Sequence, residues 1–416
     1  ASLPPCPKFR LPPRVPLHEK ARRFEALMKM HLRQGTVLYI DDLRERGAER
    51  FGGYADSALW TGCYLGAEAF RYAVSRGAER ELALERVLEL LRGLRTLQRI
   101  TGKKGLLARS FIRADREPPR MGRKARRGKG PFSNYFWKGD ASRDQYDGVL
   151  FGYAIAHDLV PEGRVSALVK EDLRLLAEHI LENNWKLVDV DGRATRHGEL
   201  RAWGLNGLNA LLSLTFMKIA HRVTGDGKFR QAYESLIFWN YPEIAFIPFV
   251  RGLCLANYSN DNMAFLAFYN LLRLEGSPEL QAHYQAALGR AWEVVREDGN
   301  ALFNFIYLAT FRGRADPEAK GAALRSLREM PLERRNCEII NSRRKDVKLS
   351  LCAYRGRPQL RRALPIYKRP LSAFEWKSNP YRSDGGDSHG RGQSPPVDYL
   401  LAYWMGRYHG FIDGGL

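Results

Sequence analysis

The chain of 416 residues carries 67 Lys plus Arg against 46 Asp plus Glu, a formal charge of +21, with 44% hydrophobic and 11% aromatic residues. That composition excludes a disordered chain. No apolar run approaches the roughly 18 to 20 residues that a bilayer-crossing helix needs, since the stretch 208–216 soon meets Lys218. The charge favours polyanionic partners such as acidic glycans or nucleic acid.

In chain order, residues 20–32 carry the stripe Phe24, Leu27, Met28 and Leu32 and read as an amphipathic helix. Residues 58–70 are apolar nearly all round, whereas 78–100 alternate Leu84, Val87, Leu88 and Leu91 with Glu and Arg; a buried helix precedes a half-exposed one. Residues 120–130, with six Arg or Lys among glycines, read as a flexible basic loop that gathers an anionic substrate. The helix alternation returns in 145–160 with 165–181, in 205–220 with 229–237, and in 263–272 with 280–295. Residues 302–309 with 317–327 give a further pair. Residues 333–396 are rich in Arg, Pro, Gly, Asn and Ser and read as an irregular insertion, with a short β-hairpin beginning at 347–354. The apolar helix 398–408 has no successor, and the helix at 20–32 supplies its partner.

Six such hairpins, with apolar helices inside and amphipathic ones outside, predict an all-α (α/α)6 toroid closed by its chain ends. The expected organisation is a single domain over residues 1–416, with a basic loop at 102–140 and the insertion at 333–396. An open helical solenoid is the alternative that the same pattern permits.

The five cysteines contain no C-x-x-C, which argues against a zinc or redox centre. Cys63 and Cys254 read as buried thiols, and Cys337 and Cys352 as a possible pair. Lys103-Lys104-Gly105 lacks phosphate-loop spacing, so no metal, nucleotide or other cofactor is expected. The chain opens on Ala1 rather than Met, which leads us to expect a secreted or periplasmic protein and otherwise a cytoplasmic one.

Each apolar helix begins with polar residues. These are Asp56 and Ser57, then Ser142 to Gln145, Asn206 and Asn209, 257–262, Asn300 and Asn304, and finally Asp398. Capping explains Ser, Asp and Asn at any one start, but not Asn209 and Asn304, which lie inside their helices. In a toroid all these starts face one mouth.

The hairpin pattern, the start Asp56-Ser57-Ala58-Leu59-Trp60-Thr61-Gly62, the segment Ser142-Arg143-Asp144-Gln145-Tyr146-Asp147-Gly148 and the terminal Trp404 helix together resemble six-hairpin glycosidases and related (α/α)6 carbohydrate enzymes. The likeness is one of architecture, not of a catalytic signature. It implies a cleft at the inner-helix mouth, aromatic sugar platforms, and either carboxylate-based hydrolysis or uronate elimination.

Hydrolysis needs a carboxyl that keeps its proton and a second carboxylate as base or nucleophile. Asp56 and Asp144 are the leading pair, with Tyr54 and Tyr146 as neighbours able to desolvate them; Asp147 is close behind, and Asp261, Asp41 and Asp42 are reserves. Elimination would instead use His197 or Tyr258 with Asn206 and Arg143. Gln145, Asn209, Asn260 and Arg344 complete the expected substrate contacts, with Trp203 and above all Trp137 and Trp376 as sugar platforms. The favoured substrate is an acidic oligo- or polysaccharide. A non-enzymatic scaffold binding nucleic acid or another polyanion through 120–129 and 343–345 is the third reading.

Overall fold

The structure is a computed structural model that describes residues 3–6, 12–114, 119–245, 257–313, 315–354, 357–386 and 389–415. It is mostly helical, with thirteen α-helices and small sheets among the described residues. The helices are α1 (Leu17–His31), α2 (Ser57–Val74), α3 (Gly77–Arg99), α4 (Arg143–Leu159), α5 (Gly163–Glu182), α6 (Gly207–Thr224), α7 (Gly227–Phe238), α8 (Tyr241–Ala245), α9 (Tyr258–Leu274), α10 (Pro278–Val295), α11 (Ala301–Thr310), α12 (Glu318–Glu329) and α13 (Val397–Tyr408). Among the described residues no helix is long and apolar enough to cross a membrane.

Burial follows the hydropathy pattern. Residues 57–72 of α2 are buried on every face, whereas α3 buries only the stripe that includes Val87, Leu90, Leu91, Leu94 and Leu97. The apolar helices α2, α4, α6, α9, α11 and α13 each pack on the next, and α13 packs on α2. Each has an amphipathic companion on its outside: α3 on α2, α5 on α4, α7 on α6, α10 on α9, α12 on α11 and α1 on α13. The starts of α4 and α9 line one cavity, while the ends of α4, α9, α11 and α13 surround a second, small one of about 240 Å³. α2 and α4 approach backbone to backbone: a Cβ on Gly62 would lie 2.2 Å from the Gly148 carbonyl oxygen, and one on Gly152 2.1 Å from that of Gly62.

The N-terminal helix α1 is tied to α13, as its unpaired stripe predicts. Phe24 meets Tyr399 edge-on at 4.9 Å, the Tyr399 hydroxyl donates to Leu17 O (2.9 Å), and Trp404 Nε1 donates to Glu25 Oε1 (3.0 Å). Buried Lys20 donates to the carbonyls of Leu327, Arg328 and Met330 at 2.8–2.9 Å, capping the C-terminus of α12.

Three sequence expectations need correction. The basic stretch is not a loose loop: Ala125–Arg127 is an outer strand on Tyr135–Lys138, whose other edge pairs with Ser110–Arg113 in an antiparallel sheet. Arg126 and Arg127 lie over the rings of Trp137 and Phe136, at 5.6 and 6.0 Å. Cys337 bonds to Cys6, not Cys352, with Cα atoms 5.8 Å apart. Within the irregular insertion, the short turn Glu375–Lys377 buries Glu375 and Trp376, where Trp376 was expected as a sugar platform. Elsewhere the insertion holds the expected hairpin, Leu349–Tyr354 paired with Arg357–Leu360. Cys63 is a buried thiol whose pKa burial pushes up, and Cys254 lies outside the described residues.

Candidate active site

Ser142 caps α4 through a capping box: its backbone N–H and its hydroxyl donate to Gln145 Oε1 at 2.7 and 2.9 Å. This fixes the first helical turn and sets Arg143 and Asp144 on the wall of a cavity of about 790 Å³. The Gln145 amide then reaches Asp56 Oδ1 (3.1 Å) at the start of α2. Asp56 Oδ2 lies 2.7 Å from Lys377 Nζ, and the same ammonium stands 3.9 Å from Asp144 Oδ2. Arg109, held by the carbonyls of Ala55 and Asp140, comes to 4.0 Å from Asp56 Oδ1.

The two carboxyls are brought together in unlike surroundings. Burial pushes the Asp144 pKa up and the Asp56 charge adds to it, against the pull of Lys377, Arg143 and Arg109. The Tyr146 hydroxyl donates to Gly105 O (2.9 Å) and accepts from Leu107 N (3.2 Å). Asp56 instead receives two close donors, Lys377 and Gln145. Burial opposes the charge on Lys377, but Asp56 and Asp144 outweigh it and hold the ammonium protonated.

The rest of the cavity is polar and cationic. Arg109, Arg143, Lys377 and Arg382 line it, with the amides of Asn257, Asn260, Gln359 and Asn379 and the imidazole of His197. Arg143 Nη1 donates to Asn209 Oδ1, and Asn209 donates in turn to Arg201 O (2.8 Å). Arg143 Nε and Asn379 Nδ2 are buried donors without a protein partner, a cost that a bound polar group would relieve.

Lys377 arrives from the insertion and is set by the start of α13. Asp398 accepts from Arg334 Nη2 (3.0 and 2.8 Å) and from the backbone N–H of Glu375 (2.9 Å), while its carbonyl accepts from Trp376 Nε1 (2.7 Å). Asn300, the cap of α11, donates to Trp376 O (3.0 Å). Burial raises the Glu375 carboxyl to about 7.

The expected site residues therefore divide. Asp56, Asp144, Arg143, Gln145, His197, Asn209 and Asn260 gather in or behind this cavity. Asp147 is buried on α4 with Oδ2 unpartnered and its pKa pushed well up by burial, away from the cavity wall. Asp261 is buried and does not line the cavity, and the Tyr258 hydroxyl, although its residue does, is spent on Asp298. Asn206 caps α6, and Arg344 pairs with Asp346 at 2.5 Å, outside the cavity lining. Trp137 and Trp376 are buried and present no platform: the first is packed in its sheet, and the second has its indole N–H turned to Asp398. Trp203 is 67% exposed with Arg201 over its ring, but does not line the cavity. Lys377, Arg109, Gln359, Asn379 and Arg382 were missed; their only sequence signal is that four of the five, all but Arg109, stand in a long insertion of the kind that builds sites.

No family model matches the chain, and no curated protein matches it. Among solved structures it is similar to one titled "Bacteroides ovatus GH9", with 10% sequence identity over 95% of this chain and 83% of that chain, at a TM-score of 0.45.

Proposed function

We propose that the chain is a single-domain (α/α)6 toroid and a carbohydrate-active enzyme, a glycoside hydrolase acting on an acidic glycan that bears uronate or sulfate groups. The observation that carries this reading is the placing of Asp56 and Asp144 about one ammonium at the cavity wall, with the ammonium 2.7 Å from Asp56 and 3.9 Å from Asp144, whose pKa burial raises. Asp144 keeps its proton and delivers it to the glycosidic oxygen. Asp56, charged beside Lys377 and Gln145, serves as base to a water or as nucleophile at the anomeric carbon. The cationic lining and the unpartnered donors of Arg143 and Asn379 suit the anionic groups of the sugar. The closed succession of inner helices supports the toroid, and the Cys6–Cys337 disulfide supports a secreted or periplasmic location.

Uronate elimination is the second reading, favoured by His197 beside Arg109, Arg143 and Arg382. Tyr258, with its hydroxyl given to Asp298, is poorly placed as its base. Azide rescue and activated leaving groups test the hydrolase roles. Azide should restore an Asp56→Asn variant if Asp56 is the nucleophile, and an activated leaving group should restore Asp144→Asn. Inactivity of His197→Ala with both Asn variants active would move the assignment to elimination.

A further inference from the structure

Two carboxyls share one cation at the cavity wall, and that cation comes from 321 residues away in sequence from Asp56. This ammonium is the cation nearest to Asp56; Arg109 adds a second positive charge on the Asp56 side, 4.0 Å from Oδ1, and Arg143 acts on Asp144. Coulomb attraction falls with distance, and the ammonium is 2.7 Å from Asp56 but 3.9 Å from Asp144. The negative charge therefore settles on Asp56 and the proton on Asp144.

Resting on the hydrolase reading, we infer that Lys377 is the positioning residue that assigns the two catalytic roles, holding Asp56 as the carboxylate and leaving Asp144 as the proton donor. Its anchorage fits that task. The two residues before it, Glu375 and Trp376, are pinned by Asp398 at the start of α13 and Asn300 at the start of α11, and its ammonium meets Asp56 before α2 and stands near Asp144 on α4, so four inner helices fix where one ammonium sits. An exposed ion pair needs no such framework.

The other charged or titratable groups facing this cluster are Arg109 before it on the wall, Arg143 and Asp147 on α4, and Cys63 on α2. Burial lowers the Arg143 pKa, against the pull of Asp144 and Glu199. Burial pushes the pKa values of both Cys63 and Asp147 up. His197 lines the same cavity, and His197→Gln serves as its control.

The test follows the protonated Asp144 carbonyl stretch by infrared difference spectroscopy as pH is varied. The band is identified by its loss in Asp144→Asn. This reading needs no substrate, so it stands even if the chain hydrolyses nothing. In Lys377→Met the Asp144 band should titrate at least about one pH unit higher than in the wild type, and Lys377→Arg should return it most of the way. With an active substrate, both limbs of the pH–rate profile should move up together in Lys377→Met. If Lys377→Met does not fold, Asp56→Asn gives the converse measurement: the ammonium then has Asp144 alone, and the band should titrate lower. An Asp144 titration unmoved in a folded Lys377→Met, or unmoved in Asp56→Asn, overturns the assignment and leaves Lys377 a structural ion pair.

Discussion

Replacing Asp398 by Asn tests how the remote framework carries the site. Asp398 and Arg334 are both fully buried and paired at 2.8 Å, so Asn leaves a guanidinium without its counter-charge in a place that water does not reach. Removing one partner of such a pair costs about 3–5 kcal/mol. Asn keeps one acceptor, but its amide hydrogens meet the N–H groups of Arg334 or Glu375, which also lie at 2.8–3.0 Å from the carboxylate. The expected loss at pH 7 is therefore about 4 kcal/mol in urea unfolding followed by circular dichroism and by tryptophan fluorescence. Trp376 lies next to the change and reports it locally. Adding Arg334→Met to Asp398→Asn should recover at least about 1 kcal/mol, because the orphaned charge disappears with its side chain. Turnover should fall about a hundredfold in Asp398→Asn, since a shift of Lys377 by about 1 Å disturbs both carboxyls. A variant within about 1 kcal/mol of the wild type and fully active would refute both the buried-pair argument and the role given to Asp398.

Asn replacements of Asp144 and Asp56 should each lower turnover at least about a hundredfold while thermal unfolding is little changed, measured by steady-state kinetics beside a melting curve. Asp147, buried with a raised pKa, holds its proton in the folded chain and loses it on unfolding, so it contributes stability that is lost as pH rises above the ordinary Asp value. Asp147→Asn should therefore flatten the fall in stability between about pH 4 and pH 7, and urea midpoints at those two pH values measure it. Replacing Arg123, Lys124, Arg127 and Lys129 by Ser should raise KM for an anionic substrate and weaken its salt dependence while kcat holds, since these residues lie on and beside an outer strand and not on the cavity wall.

The inner helices were legible because burial on all faces leaves a simple trace. The apolar runs 58–70 and 398–408 fall inside α2 and α13, and the lone stripe of α1 forecast its packing on α13. Asp56 and Asp144 were legible for a related reason, since a carboxylate at the mouth of an apolar helix needs an explanation that capping only partly supplies. What escaped was long-range. Tyr135–Lys138 finds one of its partners back at Ser110–Arg113, a pairing without a local turn signal, and so a basic stretch of loop composition became an outer strand. Lys377 escaped because nothing local distinguishes one lysine in an Arg-rich insertion. The neighbouring Trp376 drew attention as a sugar platform, whereas its indole N–H is used to anchor the turn that presents Lys377. Cys6 was passed over as a partner for Cys337 because the two are 331 residues apart, and only the fold brings them together.

The paired-carboxylate account is tested most directly by product analysis on a panel of uronate-containing and sulfated glycans, with the wild type and Asp144→Asn side by side. The account predicts new reducing ends without an ultraviolet-absorbing unsaturated sugar, and their loss in Asp144→Asn. Unsaturated products from the wild type, formed equally well by Asp144→Asn, would contradict it.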